Sequence, residues 1–194
     1  MTIETYRSNF DKYVARTGTE PCGEFKDLLD SFASYIPAMG SIFEIGSASG
    51  RDARYLASKS FAITCTDVIP EALKRLSEEG FQTEEYDFRN DPKPEWLDNF
   101  DGVFANASLL HAPQEIFVNA LKNIAMMLKQ NGVLAFSLKT GEGEEITSEK
   151  MDAPRYFRYH SESEIRETMT SLSFEIISLL HAEQGKWLHV IARS

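Results

Sequence analysis

The stretch SIFEIGSASGRD, residues 41–52, has the residue types of a ligand-binding turn. A β-rich run enters a loop of small residues that opens a helix, so a ligand can approach the backbone amides at the helix start. Glu44, Gly46, Ser47, Ala48 and Gly50 set an acid ahead of small side chains, and Arg51 follows. A dinucleotide fingerprint needs glycine at 46, 48 and 51, but those positions hold Gly46, Ala48 and Arg51. A phosphate loop needs Gly-Lys-Ser/Thr after the turn, and none follows. The Glu44 carboxylate repels phosphate and suits a ligand that carries an ammonium group. Arg51 could pair bidentately with a carboxylate, although a surface arginine at a helix start reads almost as well.

Two more acids close β-rich runs. Asp67 lies about 20 residues past Gly46, where a carboxylate can accept hydrogen bonds from ribose hydroxyls. The same residue would also cap a helix beginning near Pro70. Asp87 and Phe88 follow the third run, where a turn-forming Asp beside a core Phe is the plainer alternative. His111 stands just past the fourth run, in DGVFANASLLHAP. An imidazole there could orient or deprotonate an acceptor hydroxyl or amine near neutral pH, and a structural loop histidine is the competing reading. The chain has no Ser-His-Asp order, cysteine-nucleophile motif or HExxH, and Cys22 and Cys65 lack metal or CxxC spacing, so no metal is expected.

Taken together, these motifs resemble the class I S-adenosylmethionine-dependent methyltransferases, whose first motif is an acid followed by alternating glycines. Ala48 departs from that pattern in place of the middle glycine. The resemblance is close over residues 41–139 and general beyond. It implies S-adenosylmethionine as cofactor, held by Glu44, Gly46, Ser47, Ala48, Gly50 and Arg51, with Arg51 on the methionine carboxylate. It places Asp67 on both ribose hydroxyls, Val68 and Ile69 against one side of adenine, Asp87 on the adenine amino group and Phe88 along the ring. Asn106 and Ala107 would meet the donor through backbone groups, beneath the sulfonium. Tyr6 and Tyr13, on an amino-terminal helix, would lid the pocket as comparable helices do, unless their stripe merely docks that helix.

The elements needed to hold these residues are legible in the apolar pattern. Strands are expected at 41–45, 61–66, 81–86, 101–106, 133–139, 174–180 and 187–192, alternating with helical stretches as in βαβ units. The helices are expected at 51–58, 70–79 with Pro70 at the first position, and 113–128, with a last one opened by the Ser161/Glu164 capping box. The segment HAEQGK between the last two strands is too short for a helical crossover, so they should pair antiparallel. Ile3, Tyr6, Phe10, Tyr13 and Val14 form a helical stripe, and a second helix is expected from about Gly23 to Tyr35. The expected fold is α/β, a Rossmann-like three-layer sandwich with a seven-stranded, mostly parallel sheet ending in an antiparallel hairpin and preceded by N-terminal helices. Residues 1–194 read as one methyltransferase domain, with a helical cap at 1–40 and a substrate-side loop at 140–160. That loop offers Lys139, Arg155, Tyr156 and His160 as acceptor contacts, with a charged, solvated loop as the alternative.

A net charge of −10 opposes unassisted binding to a phosphate backbone, which disfavours nucleic acid as partner. No apolar run is long enough to span a membrane and the amino terminus is too polar for a signal segment, so a cytoplasmic location is expected. The leading expectation is methyl transfer to a small-molecule acceptor. Its alternatives are a tRNA base methyltransferase, whose basic surface a partner would supply, and a non-catalytic module that binds the cofactor and signals. A nicotinamide oxidoreductase is the weakest, given the missing glycines. Oligomeric state is not legible.

Overall fold

The chain enters its sheet at β1 (Ser41–Ile45), whose side chains are almost wholly buried on both faces, as a central parallel strand requires. The structure is a computed structural model, and it describes residues 1–148 and 151–194. Strands β2 (Ala62–Asp67), β3 (Gln82–Glu85), β4 (Phe100–Asn106) and β5 (Leu128–Thr140) follow, and the five run parallel in the order β3-β2-β1-β4-β5. Beyond β5, β9 (Trp187–Arg193) runs antiparallel to it, and β8 (Glu175–Ala182) pairs antiparallel with β9. The order reverses between β1 and β4, so the loops after these two strands flank the crevice where an open α/β sheet binds ligands.

Helices cover both faces. Leu28, Leu29 and Phe32 of α3 (Gly23–Tyr35), Leu56 of α4 (Arg51–Ser58) and Leu76 of α5 (Pro70–Glu78) pack with Ile42, Phe104 and Ala135 on one side. Phe117, Leu121 and Ile124 of α6 (Gln114–Met127) and Ile165 and Met169 of α7 (Glu162–Ser171) pack with Phe43, Leu134 and Phe136 on the other. Each such side chain stabilises the fold by roughly 1.5–3 kcal/mol when fully withdrawn from water. The Ser161 cap forms as expected, with its hydroxyl accepting from the Glu164 amide. The Glu164 carboxylate turns instead to Arg158, so only half of the capping box closes.

Three expectations need correction. The amino-terminal stripe is two helices, α1 (Thr2–Ser8) and α2 (Phe10–Arg16), broken at Asn9, whose φ of −127° leaves the helical region. All seven expected strands are present, and two more within 140–160 bring the sheet among the described residues to nine. The 140–160 segment is not a loop: β6 (Glu144–Thr147) and β7 (Arg155–His160) pair antiparallel within it. Glu149 and Lys150, inside that segment, lie outside the described residues. Strand β7 also pairs parallel with the end of β5, at Lys139 and Thr140. Lys139 already meets Trp187 of β9 on one edge, so β7 occupies the edge that β4 vacates after Asn106. This sets the hairpin above the carboxyl end of β4, beside the crevice.

Candidate active site

The turn after β1 is built on left-handed backbone. Gly46 and Gly50 have φ of 78° and 74°, and Ala48 has 46° despite its Cβ. A methyl at Gly46 would sit 2.9 Å from Ser108 Cβ, so the glycine permits the turn and the β4 loop to approach closely. The Asp67 carboxylate braces the turn from β2. Its Oδ2 accepts the Ala48 amide at 2.8 Å, and its Oδ1 accepts the Val68 and Ile69 amides at 2.8 and 3.0 Å. A carboxylate has about four acceptor positions, so one remains, on Oδ2, for a ligand in the cavity that Asp67 lines. The capping and ligand readings of Asp67 are therefore compatible, but both ribose hydroxyls could bind only by sharing with an amide. Burial raises the Asp67 carboxyl above its ordinary value against the pull of those amides.

Glu44 is 3% exposed, and its Oε2 has no hydrogen-bond partner. Burial, reinforced by the Asp52 charge, pushes its carboxyl up to about 8. Arg51 does not reach for a ligand freely, because its Nε and Nη2 bind Asp52 at 2.7 and 3.1 Å. Asp52 also accepts from Asn106 Nδ2 at 2.8 Å, and Ser137 links Asn106 Oδ1 (2.6 Å) to the Ala107 amide (2.8 Å). The Ala107 amide is thus satisfied within the protein and drops out of the expected donor contact. Asp52, the last residue of the 41–52 stretch, and Ser137, within the strand expected at 133–139, were not singled out from sequence.

Two adjoining cavities, of about 340 and 220 Å³, share Tyr13, Gly46, Ala48, Asn106 and Ala107. Glu44, Ser47, Arg51 and Asp52 line the smaller, together with Phe25 and Trp187. Asp67, Val68, Ile69, Asp87 and Phe88 line the larger, which ends beneath α1 at Ile3, Tyr6, His111, Pro113 and Tyr156. Asp87 is held by Arg89 through side chain and amide. Burial works to raise the Asp87 carboxyl, but these bonds outweigh it and hold it below its ordinary value. Adenine would have to share Asp87 with Arg89 or displace it, and Arg89 offers no signal in sequence beyond its place two residues on.

Helices α1 and α2 close the larger cavity. Thr5 Oγ1 donates to Pro154 O at 2.6 Å, the Tyr156 amide donates to Thr2 Oγ1 at 2.9 Å, and Lys12 binds Met151 O and Asp152. Tyr6 and Tyr13 meet edge to face at 5.3 Å, and both line the cavity. His111 is held at both ring nitrogens: Nδ1 donates to Tyr156 O at 2.7 Å, which leaves Nε2 to accept from Tyr6 Oη at 3.1 Å. Burial drives its imidazole down to about 4, so it is neutral at physiological pH.

The other acceptor candidates divide. Tyr156 lines the cavity, whereas Lys139, Arg155 and His160 do not. Lys139 stacks its ammonium over Phe157 at 4.7 Å. His160 is fully buried against Phe117, 4.7 Å between ring centroids, which makes it a core residue. Arg155 lies behind Tyr6, to whose hydroxyl its Nη1 donates at 3.1 Å. Among the described residues, no cluster of His, Cys, Asp or Glu could hold a metal ion, and no helix is long and apolar enough to cross a membrane.

Residues 43–134 match the family model described as a methyltransferase domain. A search of curated proteins finds no match. Among solved structures, the chain is similar to the 1,6-didemethyltoxoflavin N1-methyltransferase of Burkholderia thailandensis, bound to 1,6-didemethyltoxoflavin and S-adenosylhomocysteine, at 18% identity and a TM-score of 0.68 over 98% of this chain and 88% of that one. It is similar to the CcbJ methyltransferase of Streptomyces caelestis at 14% identity and a TM-score of 0.73, over 97% and 96%. It is also similar to the [4+2]-cyclase SpnF at 16% identity and a TM-score of 0.72, over 98% and 94%. Residues 43–134 thus carry a methyltransferase domain, and the fold of the chain is the one that these solved S-adenosylmethionine-dependent methyltransferases share. The motifs at 44–51 and at Asp67 imply S-adenosylmethionine as the cofactor.

The residues present fit that cofactor on structural grounds. The orphaned, buried Glu44 Oε2 can accept from an ammonium, and the free position on Asp67 Oδ2 can accept from a hydroxyl. This pairing has a measurable consequence. Near pH 7 Glu44 is protonated in the free protein, and an ammonium beside it favours the ionised form, so binding releases a proton. Calorimetric titration of S-adenosylhomocysteine at pH 7, in buffers of differing ionisation enthalpy, should show release of about one proton. The Glu44→Gln variant should show none. Because its folded-state value is raised, Glu44 contributes stability that is present below about pH 4.5 and lost as pH climbs towards 8. Thermal melts of the free protein should fall over that window, and those of the Gln variant should fall less.

Proposed function

We propose that the chain transfers a methyl group from S-adenosylmethionine to a small-molecule acceptor. The observation that carries this reading is the continuity of the cavities. Glu44 lines the smaller cavity and would hold the ammonium of the donor, and Asp67 lines the larger one, which adjoins it and runs on beneath α1 to Tyr6, His111 and Tyr156. The bound cofactor supplies an electrophilic methyl group on a sulfonium. The chain's part is to hold an acceptor in line with that methyl and keep water out. Asp67 and Glu44 fix the donor, and Val68, Ile69 and Phe88 sandwich the base. The lid of α1 and α2 closes over both, and Tyr6, His111, Pro113 and Tyr156 bound the acceptor.

A cavity of about 340 Å³ suits a molecule of few rings better than a polymer, and the charge of −10 works against a phosphate backbone. Similarity to a methyltransferase whose structure holds 1,6-didemethyltoxoflavin supports the same reading. The test is formation of S-adenosylhomocysteine from S-adenosylmethionine with a panel of phenols, heteroaromatic rings and amines, run beside bulk tRNA. Turnover with a small compound is the expected result. Turnover with tRNA alone, falling steeply with salt, would replace this reading with the RNA one, and cofactor binding without turnover on any member would favour a binding module.

A further inference from the structure

Behind the acceptor end of the cavity stands a buried charge, Arg155. Arg155 is 6% exposed, yet among the described residues it pairs with no carboxylate. Its Nη1 donates to Tyr6 Oη at 3.1 Å, its Nε is buried without a partner, and its guanidinium lies 4.8 Å from the Phe157 ring. A buried, uncompensated cation is costly, so a fold that keeps one places positive potential where it can act. That potential falls on Tyr6 Oη. Tyr6 gives its one hydrogen to His111 Nε2, takes Arg155 on one lone pair, and lines the cavity with a second lone pair unused. The His111 tautomer that this requires is fixed from the far side by Tyr156 O.

The acidic groups of the same cavity are committed elsewhere. Asp67 holds the amides of Ala48, Val68 and Ile69, and Asp87 holds Arg89. Among the described residues, no carboxylate lines the end beneath α1, where an aliphatic ammonium would need one. We propose that Tyr6 Oη takes the proton of the acceptor and passes its own to His111 Nε2, with Arg155 polarising Tyr6, and that the acceptor is an uncharged O–H or ring N–H acid. This rests on the methyl-transfer reading of the same cavity.

The step balances. The acceptor's O–H or N–H bond breaks, its proton goes to Tyr6 Oη, and the hydrogen of Tyr6 crosses to His111 Nε2. The electron pair left on the acceptor atom forms the bond to the methyl carbon. The sulfur–methyl bond breaks with its pair staying on sulfur, which becomes neutral. Positive charge is lost at sulfur as it is gained at His111, so the net charge of the enclosed space does not change. Burial depresses the basicity of His111, and the charges of Arg155 and Lys139 add to it, so the imidazolium hands its proton on once water enters. Asp67 is the acid whose charge reaches Tyr6, and it opposes Arg155 there.

The relay can be read without knowing the acceptor. Protein saturated with S-adenosylhomocysteine is titrated with 4-nitrophenol, followed by the absorbance of its anion, and with benzylamine, a cation of similar size. The expected result is that 4-nitrophenol binds and that its apparent ionisation falls by about one pH unit, as a nearby cation produces. Benzylamine should bind about tenfold more weakly or worse. The shift should persist in Arg155→Lys and vanish in Tyr6→Phe and Arg155→Met, with folding checked by thermal melting. An unshifted 4-nitrophenol in the wild type, a shift that survives in Tyr6→Phe, equal or tighter binding of benzylamine, or no binding of 4-nitrophenol would each overturn the relay. Failure to bind S-adenosylhomocysteine would overturn the methyl-transfer reading itself, and the relay with it.

Discussion

Replacing Asp67 with alanine should weaken S-adenosylhomocysteine binding by about 100-fold, because a hydrogen bond to a charged group contributes about 1.5–3 kcal/mol and the turn that positions the donor also loosens. The carboxylate is the shared acceptor of the Ala48, Val68 and Ile69 amides, so the loop after β1 and the start of α5 are tied through one side chain. Its removal leaves those amides without their acceptor as well as taking away the free position on Oδ2. Asp67→Asn separates the two effects. Its carbonyl can still serve Val68 and Ile69, but its amide nitrogen would face the Ala48 amide, donor against donor. An intermediate loss of about tenfold is expected, in line with one weakened polar contact. Calorimetry measures both variants, and affinity within twofold of wild type for Asp67→Ala would remove the residue from the donor site.

The second large effect is expected at Gly46. A valine there meets two penalties. Left-handed backbone costs a residue with a Cβ about 1–2 kcal/mol, and φ is 78°. The added carbon would lie 2.9 Å from Ser108 Cβ, and overpacking of this kind typically costs about 1–3 kcal/mol. Together they should lower the melting temperature of Gly46→Val by about 5–15 °C for a chain of this size. Gly185 provides the control, since its φ is 84° but nothing lies within 4 Å of the added carbon. Gly185→Val carries the backbone penalty alone. Equal losses at the two positions would show that the close approach of the β4 loop to the turn is not real.

The apolar periodicity of the chain made most of the frame legible, because parallel strands buried on both faces must be continuous apolar runs. The strand at 41–45 and the helix at 51–58 are found where the pattern puts them. The hairpin at 144–160 was not legible for the opposite reason. Strand β6 is an exposed edge, Glu144 to Thr147, and carries no apolar face to announce it. In β7, Arg155 and His160 are buried, although their types suggest exposure. The places of the candidate donor residues were legible because strand ends and glycines are fixed by local sequence. Their commitments were not. That Arg51 turns to Asp52, Asp87 to Arg89 and the Ala107 amide to Ser137 depends on side chains brought together by the fold. His111 shows both sides: its place after β4 could be read, but its enclosure between Tyr6 and Tyr156 arises only when α1 and β7 meet over the crevice.

The central claim, that these adjoining cavities hold S-adenosylmethionine, is tested most directly by calorimetric titration of the wild-type protein with S-adenosylhomocysteine. The account predicts one site per chain with micromolar affinity, competed by S-adenosylmethionine and indifferent to NADH. A well-folded sample that shows no heat and no gain in melting temperature with S-adenosylhomocysteine would contradict it.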